Sequence, residues 1–317
     1  MTIPGGSDMV EFRYSALADD WDVSDGNVFI SPLVDQRSEQ SIIFADSFRN
    51  GSISADVTLL ESHEQPRIGK LAMEADFLVR YSSDRYYYAG TGGWGSKFFI
   101  GKYYEGIYSQ TRSIGQSDGL SLNKKYRLRL EFSGNKIILY ENDVQQLVDF
   151  DEGHQMGQVG LKTWKTKARF ENIRIEKARP KAFLIMSFAS ELDFVHQVIA
   201  KTVESFDIDC VRADQIAVSR PVMDDVKTQI AEADVIIVDF TGKNPNVYYE
   251  AGLADAWKKN WIVLTQSSDD LTFDVRHIRS IRYSNKMGAD KKLEVDLIKA
   301  FEALGYRRSM PRKYNEA

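Results

Sequence analysis

The chain has 317 residues, 43% apolar, 27% charged and 12% aromatic, and its 41 Lys and Arg against 46 Asp and Glu leave a net charge of −5. This composition excludes a mainly disordered chain, and the mild acidity argues against a general nucleic-acid binder, which presents a basic face. One cysteine, Cys210, excludes an internal disulfide and a Cys-rich metal site, and the four histidines are scattered.

No apolar run approaches the ~20 residues of a bilayer span. The opening MTIPGGSDMVEFRY lacks the basic and apolar regions of a signal peptide. The expectation is a cytoplasmic protein with no membrane partner, long enough for two domains.

Up to residue 178, short segments recur between turn signals such as Gly92-Gly93 and Ser133-Gly134-Asn135: 51–60, 76–81, 86–90, 98–102, 126–132, 136–141 and 168–176. Within 126–132, Tyr126, Leu128, Leu130 and Phe132 share one face and Arg127, Arg129 and Glu131 the other. That period of two belongs to a sheet with one wet face. Many short strands at regular spacing predict an all-β sandwich or jelly roll over residues 1–178. Tyr86, Tyr87, Tyr88, Trp94, Phe98, Phe99, Tyr103 and Tyr104 make an aromatic-dense middle. It reads first as core and interface, with stacking on sugars or bases as the alternative. No strand is picked out as carrying the paired carboxylates of a glycosidase.

After Ala178-Arg179-Pro180 the pattern alternates strand and helix over residues 179–317. Continuous apolar runs at 182–188, 235–240 and 261–266 are expected of strands buried on both faces. A shorter strand is expected at 208–213 and another at 281–284. Helical spacing predicts helices at 193–206, 221–233, 246–259 and 291–304. This is the pattern of an α/β domain with a five-stranded, mainly parallel sheet, flavodoxin-like or Rossmann-like.

Ligands of such sheets bind beyond the carboxyl ends of the strands, at the switch in strand order. That rule selects Ser187 and Phe188, Asp214, Asp239, the turn from Thr241 to Asn246, and Gln266. In DFTGKNPNVYYEAG, Asn246 is expected to cap a helix whose opening turns carry Tyr248, Tyr249 and Glu250. The two tyrosines cannot both face a ligand, since successive helical residues point to different faces. A carboxylate there suits an N-glycosidic bond, whose cleavage passes through an oxocarbenium-like state. The bland alternative is that Glu250 merely complements the helix dipole. Asp239 could likewise be a turn residue. Ser219-Arg220-Pro221 reads as an ordinary cap or a phosphate site. Asp274, Arg276 and His277 read as a structural cluster.

The stretches KAFLIMSF, VRADQI, IAEADVIIVDFTGKNPNVYYEAGLADA and FDVRHIRSIRY resemble nucleoside 2-deoxyribosyltransferase-like and TIR-like domains over about 181–285. The resemblance implies that Glu250 is catalytic, and the strand-end rule with the helix start puts Ser187, Phe188, Asp214, Asp239, Asn246 and Tyr249 around the substrate. The resemblance implies cleavage of NAD or a nucleotide-like molecule, with NAD as substrate rather than cofactor. It also implies a homo-oligomer and a role in bacterial antiphage defence. Nucleoside 2-deoxyribosyl transfer, or nucleotide binding without cleavage, are the alternatives. YRLRLE, GNKIILY, GQVGLKTW and ARFENIRI resemble the closing strands of concanavalin-like lectin/glucanase sandwiches over about 40–177. That resemblance implies a sensing or interaction domain for a trigger, glycan or protein.

Overall fold

The computed structural model describes residues 12–17, 20–24, 27–34, 39–65, 70–150, 156–212, 222–284 and 288–308. The chain divides into two compact units, Met1–Phe132 with Lys136–Ala178 and Ser133–Asn135 with Arg179–Ala317.

The strands of the first half are β1 (Tyr14–Ala16), β2 (Asp22–Ser24), β3 (Val28–Ile30), β4 (Gln40–Phe48), β5 (Asn50–Ser62), β6 (Glu64–Gln65), β7 (Lys70–Leu71) and β8 (Glu74–Ser82). They continue with β9 (Arg85–Thr91), β10 (Ser96–Tyr104), β11 (Ile107–Gln116), β12 (Lys125–Ser133), β13 (Lys136–Glu141), β14 (Val144–Phe150), β15 (Gly157–Trp164) and β16 (Thr166–Ala178). One seven-stranded sheet runs β1-β4-β15-β8-β9-β10-β11, and a second runs β14-β13-β12-β5-β16-β3-β2. Their inner faces share one core, in which Phe77 of the first sheet meets Phe170 of the second with ring centroids 6.4 Å apart. This is a β-sandwich. β12 shows the cause: Tyr126, Leu128, Leu130 and Phe132 are buried in that core while Lys125 and Arg127 are exposed.

The first sheet departs from the wet-face expectation. On β8 the residues Ala75, Phe77 and Val79 enter the shared core, yet Glu74, Asp76 and Leu78, facing the other way, are buried too. Lys162, opposite Asp76 on β15, donates to Glu74 Oε1 and, at 3.1 Å, to Asp76 Oδ2. β8 thus carries two carboxylates on one strand, and a buried ammonium engages both of them. Burial and the neighbouring Glu74 push the Asp76 carboxyl up, although Lys162 pulls it down. Burial works against the Lys162 charge, but Glu74 and Asp76 outweigh it and hold the ammonium protonated.

The second half contains β17 (Lys181–Ile185), α1 (Asp193–Glu204), β18 (Asp209–Arg212), α2 (Val222–Glu232), β19 (Val235–Asp239), α3 (Pro245–Ala256), β20 (Asn260–Thr265), β21 (Ser280–Arg282) and α4 (Ala289–Ala303). Its sheet runs β18-β17-β19-β20-β21, with every neighbour parallel. Val195, Ile199 and Val203 of α1 join Leu293, Leu297 and Phe301 of α4 in a core on one sheet face. Val226 and Ile230 of α2 join Val247, Ala251 and Ala254 of α3 on the other. β19 is buried at all five positions, as its apolar run requires. The chain's second sheet strand lies on one side of β17 and its third on the other. The connections after β17 and β19 therefore part to opposite faces, which opens a crevice at the carboxyl edge.

Among the described residues, no helix is long and apolar enough to cross a membrane, and no group of three His, Cys, Asp or Glu is placed to hold a metal ion.

Candidate functional site at the carboxyl edge of the parallel sheet

A cleft of about 410 Å³ lies at that crevice. Ser187, Ala189, Glu191 and Leu192 line it from the connection after β17, Thr241, Gly242, Lys243, Asn244 and Pro245 from the connection after β19, and Gln266 from the end of β20.

The wall after β19 is held by a buried carboxylate. Asp239, with no solvent exposure, accepts from the Thr241 amide (3.0 Å) and Thr241 hydroxyl (2.6 Å) on Oδ1, and from the Tyr283 hydroxyl (2.5 Å) on Oδ2. The Gln266 amide donates to Thr241 Oγ1 at 3.1 Å, and its side-chain nitrogen to Tyr283 at 3.4 Å. Burial pushes the Asp239 carboxyl up, and the bonds from Thr241 and Tyr283 pull it part of the way back. Asp239 therefore does not line the cleft. It fixes Thr241 and, through it, Gln266, which do.

The turn Thr241–Lys243 leads into α3. Asn244, not Asn246, is the cap: its side chain accepts from the Asn246 amide at 3.0 Å. Pro245 decides this, because a proline fits the first helical position, where its missing N–H leaves no orphan donor, and so makes Asn244 the residue that caps the next amide. Tyr248 turns to the core side. Its ring lies 4.7 Å from Phe240, and its hydroxyl donates to the Asp270 carbonyl. Tyr249 points away, 54% exposed, and Asn246 is exposed as well. At most one of the two tyrosines could serve a ligand, as the helical spacing required.

Glu250 lies one turn beyond Asn246 and on the same flank of α3. It does not line the cleft. Its carboxyl is part-buried, and burial alone pushes it above the ordinary glutamate range. Among the described residues it has no hydrogen-bond or ion-pair partner. No described residue answers that carboxyl, which leaves it to solvent or to a ligand.

Ser187 lines the cleft as expected. Phe188, between two lining residues, is 57% exposed, and the Arg212 guanidinium at the end of β18 lies over its ring at 5.5 Å. Asp214 and the Ser219-Arg220-Pro221 loop lie outside the described residues. The cluster expected of Asp274, Arg276 and His277 does not assemble: Arg276 donates to the Leu271 carbonyl at 3.1 Å, while Asp274 and His277 are exposed. Sequence reasoning passed over Glu191, the one carboxylate among the described lining residues. It sits in a short 3-10 turn before α1, which no periodicity marks.

No family model matches the chain. No curated protein matches it either. Among solved structures it is similar to a carbohydrate-binding module (CBM66) from Bacillus subtilis, at 20% identity and a TM-score of 0.43, over 52% of this chain and 95% of that one. It is also similar to a Bacillus licheniformis beta-glucanase (10% identity, TM-score 0.38, 54% of this chain, 94% of that one). A third similar structure is a Caenorhabditis elegans galectin (11%, 0.34, 48% and 99%). At these identities and TM-scores the likeness adds nothing to the strand pairing described above.

Proposed function

We propose that the second unit cleaves the N-glycosidic bond of NAD or a nucleotide-like molecule, with Glu250 as the catalytic carboxylate. The observation that carries this is the part-buried Glu250 carboxyl without a partner, on the helix whose first residues line the cleft. We read the sheet order as that of flavodoxin-like doubly wound folds, whose ligands sit at this crevice.

In the chemistry we propose, the carboxylate faces the anomeric carbon as the bond to the base breaks. The bonding electrons leave with the base, and the carboxylate stabilises the oxocarbenium charge or attacks it. Nicotinamide in NAD already bears a positive charge, so it departs neutral and needs no general acid. Water then adds at the anomeric carbon and releases a proton. We assign the sandwich a sensing or docking role towards a trigger, glycan or protein, within a homo-oligomeric effector of antiphage defence.

The test follows nicotinamide release by the full chain, with and without nucleotide or phage-derived triggers. Glu250→Gln is expected to lower the rate at least about a hundredfold with the fold unchanged, and Glu191→Gln much less. Full turnover by Glu250→Gln removes Glu250 from the mechanism. The second reading, nucleotide binding without cleavage, is favoured by the absence of Glu250 from the described lining. Under that reading calorimetry returns the bound nucleotide intact.

A further inference from the structure

We propose that the ligand of this cleft carries a phosphate or diphosphate held by Lys243, so that the site takes nucleotides in preference to nucleosides. This rests on the reading of the cleft as the substrate site. The observation is an unpaired cation facing open space. Lys243 lines the cleft, and among the described residues its ammonium has no hydrogen-bond or ion-pair partner. Glu191, on the opposite wall, forms no ion pair with it.

The backbone before Lys243 leaves room for an anion. Gly242 is left-handed (φ 77°), and a Cβ added there would meet nothing within 4 Å. Lys243 is itself left-handed (φ 54°), an uncommon state for a side-chain-bearing residue, and the Lys243 amide is fixed to the Phe240 carbonyl at 3.1 Å. The lysine root is therefore held in place while its charged end stays unengaged.

The remaining lining chemistry matches the rest of a nucleotide. Ser187 offers a neutral hydroxyl suited to a ribose hydroxyl. The exposed Phe188 ring, between the lining residues Ser187 and Ala189 and with the Arg212 guanidinium over it at 5.5 Å, offers an aromatic surface for a base. A lysine ammonium serves a phosphate as a compact point charge, whereas a neutral nucleoside gains nothing from it.

Calorimetry on the full chain with ADP and with adenosine, at 50 and 200 mM salt, tests this, with inorganic pyrophosphate as competitor. ADP is expected to bind about tenfold more tightly than adenosine, with the margin shrinking at the higher salt. Lys243→Ala should erase the margin and leave adenosine affinity unchanged, and Lys243→Arg should keep most of it. Equal affinities, a margin that survives Lys243→Ala, or no binding of either ligand overturns the proposal. Nicotinamide release by the same samples separates the two readings. Cleavage of NAD and of nicotinamide riboside with equal efficiency overturns the subsite alone. A Lys243-dependent preference for ADP without any cleavage overturns the glycosidase reading alone.

Discussion

Three carboxyls pushed upward by burial occupy different situations, and the difference decides what each can do. Asp76 sits against Lys162, Asp239 accepts three hydrogen bonds, and Glu250 has no partner among the described residues. Removing the Lys162 charge leaves Glu74 and Asp76 buried without a counter-ion. Lys162→Met should therefore destabilise the chain by about 3–5 kcal/mol in urea unfolding. Adding Glu74→Leu and Asp76→Leu should recover most of that loss, because apolar groups of similar size replace a buried ion cluster at little cost. A triple variant as unstable as the single one contradicts the charge explanation. The strand-end rule placed Asp239 at the right edge in the sequence, but it says nothing about direction. What turns the carboxylate inward is Tyr283, 44 positions on, at the far side of the sheet. That partner is invisible to local reading. Ser187, by contrast, was legible, since the residues just past a central parallel strand have few places to go but the crevice.

Elements were legible where one physical demand dominates. The run from Val235 to Asp239 is apolar because both faces of its strand are covered, and the 3.6-residue spacing in α1 and α4 marks the faces they bury. Caps depend on finer chemistry. Both asparagines in NPN are cap residues by type, and only the proline between them selects Asn244. Asn244→Ala should cost about 1 kcal/mol, while Asn246→Ala should change stability by only a few tenths. Thermal unfolding of the two variants checks the order, and a larger loss at Asn246 reverses the assignment. β8 shows the opposite limit. The period of two was correct, but polar residues at alternate positions promised solvent where the structure has a buried layer. Glu74 and Asp76 are covered because Lys162 compensates them from another strand, 86 positions from Asp76 in sequence.

At the scale of the molecule, each unit carries a buried carboxyl whose proton is held more tightly when folded, Asp76 in the first and Asp239 in the second. Below about pH 3.9, the ordinary aspartate value, folded and unfolded chains both hold that proton and it adds no pH dependence. As pH rises further, the unfolded chain releases the proton while the folded one keeps it. Stability therefore falls until the folded group ionises. Asp56 and Asp84 act in the other sense. Burial raises the Asp56 carboxyl, but Asn172, Arg127 and Lys125 outweigh it, and Arg85 brings Asp84 down to about 2. The stability these two add is present above the unfolded value and is lost on acidification. Asp239 has no such counterweight among the described residues of the second unit, so that unit should lose stability from pH 4 towards neutrality. Hydrogen exchange can follow the units separately, because amides of β19 and β20 report one and amides of β8 and β15 the other. Asp239→Asn should reduce the decline in opening free energy at β19 and β20, leaving the part that the raised Glu250 carboxyl contributes, and leave β8 and β15 unchanged. An identical slope in the variant means that Asp239 ionises like an exposed aspartate. The hydrogen bonds from Thr241 and Tyr283 would then outweigh its burial.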